Sequence, residues 1–218
     1  MELNRLIING GVLSPAELKY ICEAAENLGL DTISFGSRQD ILFPSKVDED
    51  LLNTFDKLQV VRPNERVINN VVSSYVSSDI FASTSWLTSS RYLYVIEQFR
   101  YRPQLRINIV DPKQRLVPLF TGNINFIASE HEDYWYLYLR LPEWKKTNMY
   151  PALIYSWDLD KVAKAIESIL KEEPETVETV FCPNFSTGRH RRGRRDLPAF
   201  GHRPQHLQTR TGKARQPK

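Results

Sequence analysis

The residues of this sequence best suited to binding chemistry form one short polar stretch, Gly36-Ser37-Arg38-Gln39-Asp40. The stretch lies between two apolar segments that we expect to be strands, and a turn at a sheet edge can direct an arginine side chain outward. A planar guanidinium group binds carboxylates and phosphates through paired hydrogen bonds. The pattern predicts an anion-binding corner, although a single arginine in a polar turn is also typical of an ordinary surface residue.

Other motifs of catalysis and metal binding are absent from the sequence, which contains no P-loop, GxGxxG, HExxH, GxSxG or paired CxxC. His131 lies in a charged loop, which favours a surface turn over a metal ligand. Cys22 falls on the apolar stripe of a predicted helix, which favours a buried hydrophobic residue over a nucleophile. Cys22 and Cys182 alone cannot supply a disulfide framework or a four-thiolate zinc or iron–sulfur site.

An aromatic segment, Tyr134-Trp135-Tyr136-Leu137-Tyr138-Leu139, allows two interpretations. Its rings could offer stacking surfaces for a ligand. The regular alternation of the residues is more typical of a half-buried strand. We therefore predict a strand at this position.

The elements that must position the polar corner follow a β-α-β-β-α-β order. The helix that precedes the corner begins with a capping box, Ser14-Pro15-Ala16-Glu17, and ends at Gly29. The predicted elements are a strand at residues 6–8, this helix, strands at 32–35 and 40–43, a helix from Asp48 and a strand at 66–72. This order indicates a ferredoxin-like layer over residues 1–76.

The segment that follows predicts a second α+β domain over residues 77–180. A helix is expected at residues 87–102, and alternating apolar residues predict strands at 105–110, 116–126 and 134–139. A last helix begins at Ser156 or Asp158. The predicted fold class is therefore α+β, with the ferredoxin-like layer first and a basic, disordered tail at residues 181–218.

The charge of the chain is divided unevenly. Up to Cys182 there are 19 Lys and Arg against 25 Asp and Glu, a net charge of −6, whereas the last 36 residues have 10 against 1, a net charge of +9. This tail has too few apolar residues to build a core, which predicts disorder. Its segment Arg189-His190-Arg191-Arg192-Gly193-Arg194-Arg195 could be a nucleic-acid arm, a solvated terminus or the product of a shifted reading frame; the change in the Arg to Lys ratio favours the last.

The same composition argues against several classes of protein. No segment approaches 18 consecutive apolar residues, and the amino terminus lacks the pattern of a secretory signal. We therefore expect no membrane partner and a cytoplasmic location. The mildly acidic body gives no electrostatic reason to bind nucleic acid.

Four segments of the sequence resemble sirohaem-dependent nitrite and sulfite reductases. The family pattern G-x-L-S-P-x-x-L followed by T-T-R-Q-D-I is matched in order and spacing by residues 11–18 and 36–41. The family signature R-N-V-V-x-S resembles residues 69–74, with Asn69 in place of the arginine. More loosely, residues 103–108 resemble the L-P-R-K-F-K segment that opens the sirohaem-binding domain of the family.

The resemblance implies a ferredoxin-like half domain and part of a sirohaem-binding domain. In the family, Arg and Lys side chains surround the carboxylates of sirohaem and the anionic substrate, which suits a polyanionic macrocycle. By this resemblance Arg38 binds a sirohaem carboxylate, and Arg106 and Asn108 occupy the region of a Lys-x-Lys pair. Gln39 and Asn70 complete the cofactor-binding set. The asparagines at 69 and 108 remove positive charge from the site.

The family also duplicates this two-domain unit and carries two cysteine pairs that hold a 4Fe-4S cluster. This chain has one copy and none of those pairs. The resemblance therefore implies a cluster with ligands from outside the chain. The implied partners are a missing carboxyl-terminal half or a homodimer partner, and an electron donor such as ferredoxin or rubredoxin. A rival hypothesis is a non-catalytic, cofactor-free binding or scaffold module that kept the fold.

Overall fold

The computed structural model describes residues 3–44, 59–62, 69–80, 85–141 and 146–172. The described chain forms two β-sheets with helices packed against them, which confirms the α+β class. Within these ranges no helix is both long and apolar enough to cross a bilayer. The helix predicted from Asp48 and the basic tail lie outside the described residues.

The first sheet has four antiparallel strands in the order β2-β3-β1-β4. This is the strand order of a ferredoxin-like layer. The strands are β1 (Leu3–Ile7), β2 (Ser34–Phe35), β3 (Ile41–Pro44) and β4 (Gln59–Val61). Helix α1 (Pro15–Asn27) packs on one face and buries Ile21, Ala24 and Ala25 against Leu6, Ile41 and Phe43.

Helix α1 begins and ends where the sequence predicts. The Ser14 hydroxyl accepts a hydrogen bond from the Glu17 amide at 3.2 Å, and the Glu17 carboxylate accepts one from the Ser14 amide at 2.8 Å. This reciprocal pair satisfies two amide groups that the first helical turn leaves without partners. Gly29 follows the helix with a φ of +69°, a conformation that favours glycine.

The strand predicted at residues 66–72 does not close the first sheet. That place is taken by β4, and β5 (Val71–Ser73) is instead the first strand of the second sheet. All three residues of β5 are buried, as expected for a strand covered on both faces. The apolar pattern identified a strand near this position, but a β-branched run does not specify the sheet that it joins. The division into domains at residue 76 stays a prediction.

The second sheet has the order β10-β8-β7-β6-β5. Its strands β5, β6 (Ile107–Val110) and β7 (Ile124–Ala128) are parallel, whereas β8 (Tyr134–Leu139) and β10 (Ile154–Tyr155) run antiparallel to their neighbours. A short strand, β9 (Asn148–Met149), also pairs with β8. The predictions for β6 and β8 are confirmed. The predicted strand at 116–126 is wrong in extent, because it begins only at Ile124.

Helices cover one face of this sheet. The described helices after β5 are α2 (Ser77–Ile80), α3 (Ser89–Ile96) and α4 (Leu159–Glu172), and short 3₁₀ turns lie at Asn9–Gly11 and Ser156–Asp158. Tyr92 and Val95 from α3 and Val162 from α4 join the buried cluster that contains Ile107 and Phe126. Helix α3 is shorter than the predicted 87–102 segment, since it begins at Ser89 and residues 97–102 form a turn followed by irregular chain.

Glu167 holds α4 to the segment that leads into β6. Its side chain is buried, and one carboxylate oxygen accepts hydrogen bonds from the backbone amides of Gln104 and Leu105, both at 2.8 Å. Backbone amides that lose their acceptor in a folded protein cost free energy. The residue is therefore a structural link between a helix and a strand.

We predict that Glu167→Ala lowers the free energy of unfolding by about 2–4 kcal/mol, because two amides lose a charged acceptor. Urea denaturation measures the loss. Glu167→Gln keeps an acceptor oxygen, so it should lower the free energy of unfolding by clearly less. Equal losses for the two variants would show that the amide bonds are not what Glu167 contributes.

Candidate functional site

The polar corner is the loop that joins β2 to β3. The Gly36 amide donates to the Asp40 carbonyl at 2.8 Å, and Gln39 has a φ of +58°. A Cβ atom on Gly36 would collide with the Asp40 carboxylate. That carboxylate is buried and forms a 2.6 Å ion pair with Arg5 on β1. The corner is therefore a fixed turn, and Asp40 is engaged by Arg5 rather than by Arg38.

Arg38 points from this corner to the amino-terminal end of the second sheet. One terminal nitrogen donates to Oδ1 of Asn108 at 2.7 Å, and the other donates to the carbonyls of Asn70 and Ile107, both at 2.9 Å. These three bonds join Arg38 to both β6 and the residue preceding β5. The Nε atom of Arg38 is buried and has no hydrogen-bond partner.

Gln39 binds β5 as a neighbouring strand would. Its Nε2 donates to the Ser73 carbonyl at 2.8 Å, and its Oε1 accepts from the Ser73 amide at 2.9 Å. Since β5 is at the end of the sheet order, the side-chain amide pairs with otherwise open backbone groups. Gly11 makes room for it: a Cβ there would lie 2.5 Å from Oε1 of Gln39, and the φ of Gly11 is +68°.

Asn70 completes the connection from the opposite side. Its Nδ2 lies within hydrogen-bond distance of the carbonyls of Ile8 (2.6 Å), Arg38 (2.9 Å) and Gln39 (3.2 Å). The Ser73 hydroxyl donates to the Gly10 carbonyl at 2.6 Å. We call Arg38, Gln39, Asn70 and Ser73 the sheet interlock, because their bonds join the first sheet to the edge of the second.

Asn108 lies on the face of the second sheet opposite the helices. It is fully buried, and while its Oδ1 accepts from Arg38, its Nδ2 donates to Oγ1 of Thr121 at 2.8 Å. Thr121 belongs to residues 111–123, an irregular connection between the parallel strands β6 and β7. From the same connection, the Phe120 ring packs edge-on against Tyr138, with 5.2 Å between centroids. This connection covers Asn108, so its amide is not open to a ligand.

Arg106 differs from the other predicted site residues because its side chain is exposed. Its backbone amide donates to Oδ1 of Asn123 at 3.0 Å. Burial, followed by the charge of Arg106, lowers the pKa of Arg38 to about 10. Arg38 is still protonated at neutral pH, and its positive charge therefore lies near that of Arg106. Among the described residues, neither guanidinium group forms a hydrogen bond or ion pair with a carboxylate.

The structure therefore brings four predicted site residues into one hydrogen-bond network, with Arg106 beside it. Asn69 is buried and donates to the Gln104 carbonyl at 2.6 Å. Sequence reasoning did not identify the roles of Ser73 and Thr121. Ser73 lies within the 69–74 signature, so the sequence could have indicated it as a site residue. No motif in the sequence includes Thr121.

The remaining candidates are ordinary structural residues. His131 is exposed in the turn before β8, 3.7 Å from the Glu130 carboxylate. Cys22 is half-buried with a free thiol. In the part of the chain that the structure describes, three or more His, Cys, Asp or Glu residues do not gather as metal ligands.

Comparisons with known proteins agree with this architecture. Residues 4–61 match the family model of the nitrite/sulfite reductase ferredoxin-like half domain. The fold is similar to the structure of the NirA protein of Mycobacterium tuberculosis, with a TM-score of 0.55 and 16% sequence identity. That match covers 79% of this chain and 36% of the NirA chain, so this chain spans about a third of that protein. No curated protein matches the chain.

The matched residues include β1, α1, the corner and β4, which are the elements that build the first sheet. Two of the interlock residues, Arg38 and Gln39, lie within this match. The family model, the strand order and the fold shared with NirA agree on this part of the molecule. Residues 4–61 are thus similar to the ferredoxin-like half domain of nitrite/sulfite reductases.

Proposed function

We propose that this chain is a half unit of a nitrite/sulfite reductase-like oxidoreductase, in which it contacts the carboxylate rim of sirohaem. The observation that carries the proposal is the pair of like charges formed by Arg38 and Arg106. Two neighbouring guanidinium groups without a bonded carboxylate favour the approach of an anion. Alone, the chain would not perform the six-electron reduction.

The residues present fit part of such a cofactor. The buried Nε of Arg38 lacks an acceptor, and the exposed Arg106 is free to turn toward a carboxylate. The terminal nitrogens of Arg38, by contrast, are engaged with the protein. We therefore assign Arg106 as the principal carboxylate-binding residue, with Arg38 providing charge and Asn108 holding Arg38 in place. Bound sirohaem would supply the redox-active iron.

The proposal requires partners. Because the described residues gather no cluster ligands, a 4Fe-4S cluster would take its cysteines from another chain or segment. A carboxyl-terminal half or a second copy of this chain would provide the other side of the cofactor pocket. An electron donor such as ferredoxin or rubredoxin would then be needed for reduction.

A second candidate function is a cofactor-free binding or scaffold module. It is favoured by the hydrogen bonds of the predicted cofactor-binding residues. The side-chain amides of Gln39, Asn70 and Asn108 all donate to other parts of the chain. Residues engaged in this way stabilise the fold without a cofactor. The two candidates differ in whether Arg106 binds sirohaem.

We predict that Arg106→Ala weakens sirohaem binding roughly tenfold, as expected for the loss of one charge-assisted hydrogen bond. The measurement is a titration of purified protein with sirohaem, followed by absorbance. Arg115→Ala, an exposed arginine in the 111–123 connection, is the matched control and should bind like the wild type. If wild-type protein does not bind sirohaem, even when mixed with a reductase half that carries the cluster, the scaffold function is the correct one.

A second prediction concerns stability without any cofactor. Arg38→Met keeps an unbranched apolar stem but removes three hydrogen bonds, and should lower the free energy of unfolding by about 2–4 kcal/mol. Urea denaturation of the cofactor-free protein measures it. Arg102→Met is an exposed control with little expected change. An unaffected Arg38→Met protein would mean that the interlock contributes no stability.

A further inference from the structure

A cleft between the two sheets lies next to the sheet interlock. It has a volume of about 350 Å³ and is formed on one side by the 3₁₀ turn and the start of α1, and on the other by residues 69–71 and 99–103. Ile8, Val12 and Phe99 supply an apolar lining. Ligand pockets of proteins have volumes from about 300 Å³ upward and often lie between structural units. The size and place of this cleft suit a small organic molecule.

Asn70 is one of the residues that line this cleft, and it carries a side-chain acceptor without a partner. Its side chain is 1% exposed, and Nδ2 is engaged by backbone carbonyls, whereas Oδ1 is buried without a hydrogen-bond partner. Buried polar atoms are nearly always paired with protein, water or ligand. An amide oxygen accepts but does not donate, so the matching ligand group is an N–H or O–H donor.

The charged residues of the cleft favour an anion. Arg100 and Arg102 line it and are exposed, and no carboxylate is bonded to either in the described part of the chain. Glu17 also lines it, but its carboxylate accepts a hydrogen bond from the Ser14 amide, which lowers its pKa. Two cations against one engaged carboxylate leave a net positive charge at the cleft.

We propose that this cleft binds a small organic carboxylate with a flat apolar body and an N–H donor. The apolar body packs on Val12 and Phe99, the donor pairs with Oδ1 of Asn70, and the carboxylate approaches Arg100 and Arg102. The site does not depend on sirohaem binding, since Arg106 takes no part in it.

The test uses two probes of similar size, indole-3-acetate and 1-naphthaleneacetate. Both carry a carboxylate on a flat apolar body, but only the indole has an N–H donor. Binding is followed by amide chemical shifts in ¹⁵N-labelled full-length protein. We expect indole-3-acetate to bind roughly fivefold more tightly, the ratio for one neutral hydrogen bond. Equal affinities, or no binding of either probe, would overturn the proposal.

Two pairs of variants locate the binding. Val12→Trp fills the cleft and should abolish binding, whereas Val76→Trp, a substitution at an exposed valine outside the cleft, should not. Arg102→Gln should weaken both probes several-fold, and the matched Arg115→Gln should not. Thermal melts establish that each variant is folded. If Val12→Trp does not fold, the comparison of Arg102→Gln with Arg115→Gln decides whether the probes bind in the cleft. Unchanged affinity in Arg102→Gln would place the probes elsewhere.

Discussion

The edge of β5 is the constraint on which the remaining structure depends. A strand at the end of a sheet presents open backbone groups, and here the side chain of Gln39 closes them at Ser73 while Arg38 binds carbonyls at the start of β5 and β6. Asn70 returns bonds to the corner that carries both residues. Polar side chains that bind backbone groups therefore join the two sheets, and among the described residues the two buried apolar clusters are separate.

This arrangement limits what the predicted ligands can do. A side chain whose donors are engaged by buried carbonyls gives up those bonds before it can bind an external anion, which costs free energy. Arg38 consequently contributes its positive charge and one buried Nε without an acceptor. Arg106 is the one predicted site residue whose side chain is exposed. Of the predicted site cations, one is therefore held by the protein and one is exposed to solvent.

Glycines and small polar residues make the interlock sterically feasible. Gly11 leaves room for the Gln39 amide, and Gly10, with a φ of +67°, presents its carbonyl to the Ser73 hydroxyl. A side chain at either position would meet a neighbour at 2.5 Å. The short segment between β1 and α1 therefore contributes to the interlock as the corner itself does.

The sequence by itself determined the local elements: the capping box of α1, the turn at residues 36–40 and the alternating strand at 134–139. These depend on interactions between residues close in the chain, whose types are visible in the sequence. Only the tertiary structure decided that β5 joins the second sheet and that Arg38 binds Asn108, 70 residues away. The reason is that Arg38 and Gln39 bind mainly backbone atoms. Because every residue of the chain has a carbonyl, the amino-acid types do not show which residue becomes the hydrogen-bond partner.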